Sequence, residues 1–422
     1  GFGAKGWQYI EHRLVLWASK KIGRPVKWTC ERSESILADE HGRDNVTEAQ
    51  LALDANNNFI ALHVSTLANV GAYVSSIRNL LSTFSNIGTL VGVYRIKAAY
   101  SKVLCVLSNT NPTAPYRGAG RPEASYVIER LIDEAAKEIG IDAAELRRLN
   151  IITSSEMPYK TALVFTYDCG KFDKNMDKAL EISDYKTFPE RRKKSSSAGK
   201  LRGIGIANAI ERAASPGPEF AEVRFSTDGT TTILMGTKNQ GQGHETMYKQ
   251  IAGHQLGLDS NDIRVVDGDT DQVAFGMGTM GSRSMVIGGS ALYVAAGKIL
   301  KKAKILASHL LEVGDEDIRF EKGCFTVLGT DKSISLKEIA KASFVPAKIP
   351  PGIEPGLYET GSFSPRSDTF PNGCHIVEVE IDPDTGQVEI LNYSMVDDVG
   401  NIINPLTLKG QIHGGVTQGV GQ

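Results

Sequence analysis

The chain has 422 residues, and 47 basic against 49 acidic side chains leave a formal net charge of −2. That length holds two or more domains with real cores, and the near-balance of charge counts against nucleic acid as a partner. No run approaches the ~20 consecutive apolar residues of a membrane-spanning helix, so no transmembrane segment is expected.

Cysteine and histidine usage narrows the chemistry. Cys30, Cys105, Cys169, Cys324 and Cys374 lie far apart without a C-x-x-C pair, and the eight histidines show no metal-ligand spacing. This argues against a zinc ribbon, an iron–sulfur cluster or a disulfide framework, and fits a reducing, cytoplasmic compartment. Any transition metal is expected to be held by something other than side chains of this chain. The start carries no signal peptide. Gly1-Phe2-Gly3 and Gly419-Val420-Gly421-Gln422 both read as cut within motifs, so an internal fragment is expected.

In chain order, Leu14, Val15 and Ala18 form a helical face closed by Gly23-Arg24-Pro25. Two strands follow, Thr47 to Leu53 and Phe59 to Leu67, joined by the turn-forming Asp54-Ala55-Asn56-Asn57-Asn58. An amphipathic helix runs from about Glu123 to Gly140 with Val127, Ile128, Leu131, Ile132, Ala135 and Ile139 inward. Asp142 caps a second helix, from Ala143 to Leu149. The run Glu190 to Gly199, charged and Ser-rich, reads as an exposed linker and divides the chain into domains at 1–190 and 191–422. Hairpins are expected at Ala221 to Leu234, across Ser226-Thr227-Asp228-Gly229, and at Ile376 to Leu391, across Asp382-Pro383-Asp384-Thr385-Gly386. A long helix from about Ser290 to Leu311 completes an α+β picture without a strict βαβ rhythm.

The chemistry is expected in Gly-rich loops. Asn239-Gln240-Gly241-Gln242-Gly243-His244-Glu245 runs from a strand into a helix, where bare N–H groups suit a phosphate or pyrophosphate. Gly276-Met277-Gly278-Thr279-Met280-Gly281-Ser282-Arg283-Ser284 interleaves hydroxyls with glycine amides but is no P-loop. Gly1 to Gly6, Ala114 to Pro122 with its two arginines, and Gly410 to Gly419 have similar character. Each alone is equally a structural turn; together they suggest one extended ligand. Asp267-Gly268-Asp269-Thr270-Asp271 reads as a turn, with divalent-cation binding the lesser alternative. There is no G-x-S-x-G elbow.

In wording and order these segments resemble the molybdopterin-binding large subunit of the xanthine dehydrogenase/aldehyde oxidase family, the carbon monoxide dehydrogenase large chains in particular. The resemblance rests on GFGAKG, ERSESILADEHGRD, PYRGAGRPE, GQGHET, GTMGSRS, FPNGCHIVEVEIDPDTG, VDDVGNIINP and GQIHGGVTQG. It implies two elongated mixed α/β molybdenum-cofactor-binding domains with the cofactor loops at their interface. The implied cofactor is molybdenum on molybdopterin, often as its cytosine dinucleotide, with the metal held by the pterin dithiolene and not by protein side chains. Carried over by motif, Gly241, Gln242 and Gly243 would contact the pterin or its phosphates. Gly281, Ser282 and Ser284 would bond the pyrophosphate region, and Gln418 would hold the pterin from the other side. Phe2, Gly3, Arg117 and Gly118 would lie near the metal and substrate pocket.

The implied reaction is hydroxylation with water-derived oxygen, assisted by a glutamate general base expected beyond Gln422, so no catalytic residue is named in this chain. Electrons would pass to 2Fe-2S and FAD centres on a small and a medium subunit, in a dimer of heterotrimers. Departures bear on substrate. Carbon monoxide dehydrogenases carry a copper-binding cysteine where Gly118 stands, and purine-oxidising relatives carry glutamate at Gly6 and phenylalanine at Ala119. An aldehyde or N-heterocycle is expected, in a roomier and less polar pocket. The alternatives are a carbon monoxide dehydrogenase large chain, a non-catalytic pterin-binding half of a split subunit, and an ordinary dinucleotide-binding protein. The last lacks G-x-G-x-x-G after a strand.

Overall fold

The computed structural model describes residues 3–6 and 9–422. They pack as two compact units, Gly1–Arg212 with Thr369–Gly400 and Ala213–Asp368 with Asn401–Gln422. Both mix helix and sheet.

The first unit opens with helix Ile10–Ile22, closed by Gly23 in the left-handed region as its sequence predicts. Strand Asn45–Leu53 pairs antiparallel with Phe59–Gly71, and Ala98–Leu107 adds parallel on the other side. The turn forms because Asp54 Oδ1 accepts the N–H groups of Asn56 and Asn58, both at 2.9 Å. Helix Arg121–Ile139 buries Ala124, Ile128, Ile132 and Ala136, the four-residue stripe of an amphipathic helix. Each such isoleucine contributes about 1.5–3 kcal/mol by leaving water. Ile139, expected inward, is 44% exposed because the helix ends there at Gly140.

Helix Ala143–Asn150 starts on Asp142, whose Oδ1 accepts from Ala144 and Glu145 N–H groups at 2.9 and 3.1 Å. It brings Arg147 into the core, where the guanidinium meets Glu129 at 2.8 Å and Asp133 at 2.9 Å. Tyr94 donates to the other Glu129 oxygen at 2.7 Å. A second sheet is antiparallel throughout, with Asn372–Ile381 between Leu201–Ile210 and Val388–Asp398.

The run 190–199 is no exposed linker. It is the body of helix Phe188–Ser197, which sits on this second sheet. Arg191 pairs with Glu378, and Ser195 donates to Glu380 at 2.5 Å. These partners lie more than 180 positions away in sequence, so local polarity gave no sign of them.

The second unit is built on a four-stranded sheet ordered Tyr358–Phe363, Glu219–Phe225, Thr231–Met235, Ile263–Asp267, with only the last pair parallel. Helix Gly289–Leu311 lies on it through a small-residue face that buries Ala291, Ala295, Ala296 and Ile299. Helix His244–Leu256 packs beside that helix. Residues 410–419, read from sequence as a loop, belong to helix Pro405–Gly421. Asn404 caps it by accepting the Thr407 N–H at 3.0 Å, and Pro405 opens it, outweighing the poor helix propensity of its glycines. No described helix is long and apolar enough to cross a membrane.

Candidate cofactor site

In the second unit, residues 239–243 lead into the N-terminus of helix His244–Leu256. Gly241 (φ 104°) and Gly243 (φ 84°) take left-handed conformations that side-chain-bearing residues rarely adopt. The loop is stitched internally. Asn239 Oδ1 accepts from Gly241 N–H at 3.1 Å, and the Gln242 amide both accepts from Gln240 N–H (2.6 Å) and donates to the Gln240 side chain (3.3 Å). From outside, Asp267 accepts the Asn239 N–H at 2.9 Å and pairs with Lys238 at 3.2 Å. Asp267 is therefore a brace for this loop. The aspartates after it form a turn in which Asp269 accepts from Asp271 N–H at 3.0 Å. Among the described residues no group of three His, Cys, Asp or Glu is arranged to hold a metal.

The segment 276–284 comes to the same place. Thr279 Oγ1 donates to the Lys238 carbonyl at 2.7 Å, accepts from the Lys238 N–H at 3.0 Å, and meets Ser284 Oγ at 3.0 Å. One hydroxyl thus joins the Gly-Gln-Gly loop to the Gly-Ser loop, where Gly281 and Ser282 are both left-handed (φ 56° and 54°). Beneath them Arg283 is buried against Glu219 and donates to the carbonyls of Gly217, Pro218 and Gly278 at 3.1, 2.8 and 3.1 Å. Glu219 also accepts the Met277 N–H at 3.2 Å.

Gln418 lies on helix Pro405–Gly421, whose first turn reaches the loop: a Cβ on Gly243 would stand 3.2 Å from Thr407 Cγ2. The Gln418 side-chain nitrogen donates to Gly415 at 3.2 Å, while its oxygen is buried with no partner. His244 Nδ1 is likewise buried and unpartnered, and burial lowers the His244 pKa, which keeps the ring neutral. The donor set is backbone N–H groups at a helix start and two serine hydroxyls, which suit a phosphate. The orphan amide oxygen of Gln418, about three turns along the helix from Thr407, suits an N–H-bearing ring. A molybdopterin phosphate and pterin fit these residues, and nothing in them competes for the metal.

In the first unit, Gly3 lies against the loop preceding helix Arg121–Ile139; a Cβ there would be 3.0 Å from the Pro115 carbonyl oxygen. Arg43 braces this loop by stacking over Tyr116 (5.0 Å), donating to the Arg117 carbonyl and facing Glu123 at 3.6 Å. Arg117 itself is exposed. Arg121, the loop's second arginine, folds back onto the Ala119 carbonyl at 3.2 Å and faces Glu211 at 3.5 Å. Burial pushes the Glu211 pKa up to about 7, with Arg121 opposing.

Gly118 has φ 93°, and a Cβ there would be 2.5 Å from Pro122 Cδ. The space beside Gly6 is not the less polar gap expected from sequence: a Cβ there would be 2.9 Å from the Arg78 guanidinium. Phe2 lies outside the described residues.

Comparison with known proteins decides the family. Models of the molybdopterin cofactor-binding domain match residues 1–151 and 178–422, the second alone more than half of the chain. The chain belongs to the molybdopterin cofactor-binding family. It is 34% identical over 425 residues to the 6-hydroxypseudooxynicotine dehydrogenase complex subunit gamma of Paenarthrobacter nicotinovorans, covering 100% of this chain and 53% of that one. It is 34% identical over 437 residues to the carbon monoxide dehydrogenase large chain of Hydrogenophaga pseudoflava, covering 99% and 54%. The solved quinoline 2-oxidoreductase of Pseudomonas putida 86 superposes with a TM-score of 0.93 at 32% identity, over 100% of this chain and 55% of that one. The chain spans about half the length of the curated relatives it matches.

Sequence reasoning missed the supports. Thr279 and Arg283 stand inside a quoted motif but carried no assignment there. Glu219, Asp267 and Arg43 act through folding that joins positions 28 to 74 apart. Arg78 lies in a stretch without a motif.

Proposed function

We propose that this chain is the molybdopterin-binding part of a molybdenum hydroxylase large subunit that oxidises an aldehyde or N-heterocycle with water-derived oxygen. The observation that carries this is the cradle of residues 239–243 and 278–284, joined by Thr279 and matched by the family across both halves of the chain. When bound, the molybdenum cofactor supplies two-electron oxidation of a carbon centre. The chain's own part is to bind and orient. Gly241, Gln242 and Gly243 present amides at the start of a helix, and Gly281, Ser282 and Ser284 hold the phosphate end. Gln418 offers its orphan oxygen to a ring N–H. Gly3, Arg117 and Gly118 border the substrate. No catalytic base is assigned to this chain.

The finer attributions belong to the same proposal: the cytosine dinucleotide form, iron–sulfur and FAD partner subunits, a dimer of heterotrimers, and a cytoplasmic setting. An N-heterocyclic substrate is supported by the relatives named for 6-hydroxypseudooxynicotine and quinoline. Carbon monoxide oxidation is the second reading, favoured by the large chain at 34% identity. Against it, residue 118 is a left-handed glycine with Pro122 where a cysteine side chain would stand.

The test is an oxidation screen of the full-length complex with aldehydes, N-heterocycles and carbon monoxide, using an artificial electron acceptor. Aldehyde or heterocycle turnover without carbon monoxide turnover is expected. Carbon monoxide turnover would show Gly118 to be the wrong discriminator. Cofactor binding with no turnover in the complete complex would favour the non-catalytic half of a split subunit.

A further inference from the structure

Arg78 is 9% exposed, yet its Nη1 has no hydrogen-bond partner, and among the described residues no carboxylate forms an ion pair with it. A buried guanidinium N–H without an acceptor is costly, and native structures rarely leave one unsatisfied. The Glu40 carboxylate lies near enough to favour the Arg78 charge but forms no ion pair with it: its Oε1 accepts from Ser75 Oγ and from Asn79 Nδ2 at 3.2 Å, and its Oε2 is buried without a partner.

The position of Arg78 is fixed by its neighbours. It sits on the short turn Ile77–Leu80, capped by Ser76. The adjacent Asn79, fully buried, donates to the Thr113 carbonyl at 2.7 Å and accepts at its own carbonyl from Thr113 Oγ1 at 3.1 Å. Thr113 leads into residues 115–118, and Pro115 in turn lies against Gly3. Arg78, Gly3–Gly6 and residues 115–118 therefore form one neighbourhood of the first unit. The guanidinium stands 2.9 Å from where a side chain at Gly6 would begin, so Gly6 leaves the cation its place.

We infer that Arg78 selects the substrate, recognising an anionic oxygen of carboxylate type carried on the substrate ring. This rests on the reading above that Gly3 and residues 115–118 border the substrate. A planar guanidinium with an unused N–H matches the two-oxygen edge of a carboxylate, which a neutral ring or carbon monoxide lacks. The N–H that burial leaves without an acceptor in the free protein would be met by the ligand. The site also distinguishes charge from size: a carboxamide has the same shape as a carboxylate but would set its N–H₂ group against another donor.

The test uses the full-length holoenzyme with measured molybdenum and pterin, and titrates pyridine carboxylates against the matching pyridine carboxamides by calorimetry. The wild-type protein is expected to bind the carboxylate about tenfold or more tightly than the amide, a preference that weakens with salt. R78M should abolish the preference, weakening carboxylate binding far more than amide binding, and R78K should restore part of it. Equal binding of both probes by the wild-type protein would overturn the inference without recourse to any variant. So would a preference that survives R78M. A preparation lacking molybdenum and pterin would instead overturn the functional reading on which this one rests.

Discussion

Replacing Arg283 with methionine is the sharpest test of how the cofactor loops are held. The side chain is 5% exposed and its partner Glu219 is fully buried, so R283M keeps the volume but strands a carboxylate in the core. Three carbonyls, of Gly217, Pro218 and Gly278, lose their donor at the same time. Removing one member of a buried pair costs about 3–5 kcal/mol. The orphaned carbonyls add up to about 1 kcal/mol each where water cannot replace the donor. An opening free energy lower by about 4 kcal/mol corresponds to roughly a thousandfold rise in the open population. Hydrogen exchange read by mass spectrometry on peptides covering 217–225 and 276–288 measures this locally, which suits a chain of two units better than a global midpoint. The variant R283M/E219L, which removes both charges, should recover much of the loss. Protection in R283M within tenfold of wild type would refute the claim that this pair holds the loop.

Three further outcomes follow from the same geometry. R147M leaves Glu129 buried without its partner and should cost about 3–5 kcal/mol, read from urea unfolding by tryptophan fluorescence; a loss below about 1 kcal/mol would contradict the packing described. Glu211 binds its proton more tightly folded than unfolded, with its pKa raised from 4.5 to about 7. Its contribution is therefore fully present below about pH 4.5 and is lost as pH rises through 7. E211Q should flatten this part of the stability–pH curve, and an unchanged slope would count against the burial argument. G118C should lower stability without conferring carbon monoxide oxidation when copper is supplied, since a Cβ there meets Pro122 and the backbone is left-handed; a stable variant with that activity would refute the steric reading.

The parts of the fold set by local rules were legible in the sequence. The Asp54 turn, the Asp142 cap and the Gly23 and Gly140 stops each depend on residues within a few positions, and the structure has them all. The run 190–199 was misread because Arg191 and Ser195 are partnered by Glu378 and Glu380, on a strand that local polarity cannot anticipate. Residues 410–419 were misread because their glycines outweigh, in a propensity argument, the single cap at Asn404 that starts the helix. At the candidate site, the motifs marked which loops carry chemistry. What joins them, Thr279, Asp267 and the Arg283–Glu219 pair, is a matter of side chains meeting across the fold. Arg78 was invisible for the same reason: a lone arginine in an unremarked stretch acquires meaning only from its burial beside Gly6.

Metal and pterin analysis of the purified full-length protein tests the central claim most directly. The account predicts molybdenum and pterin in near-stoichiometric amount, and a lower content when Thr279 is replaced by valine, which unlinks the two loops without touching either glycine turn. Absence of both from the wild-type protein would contradict it.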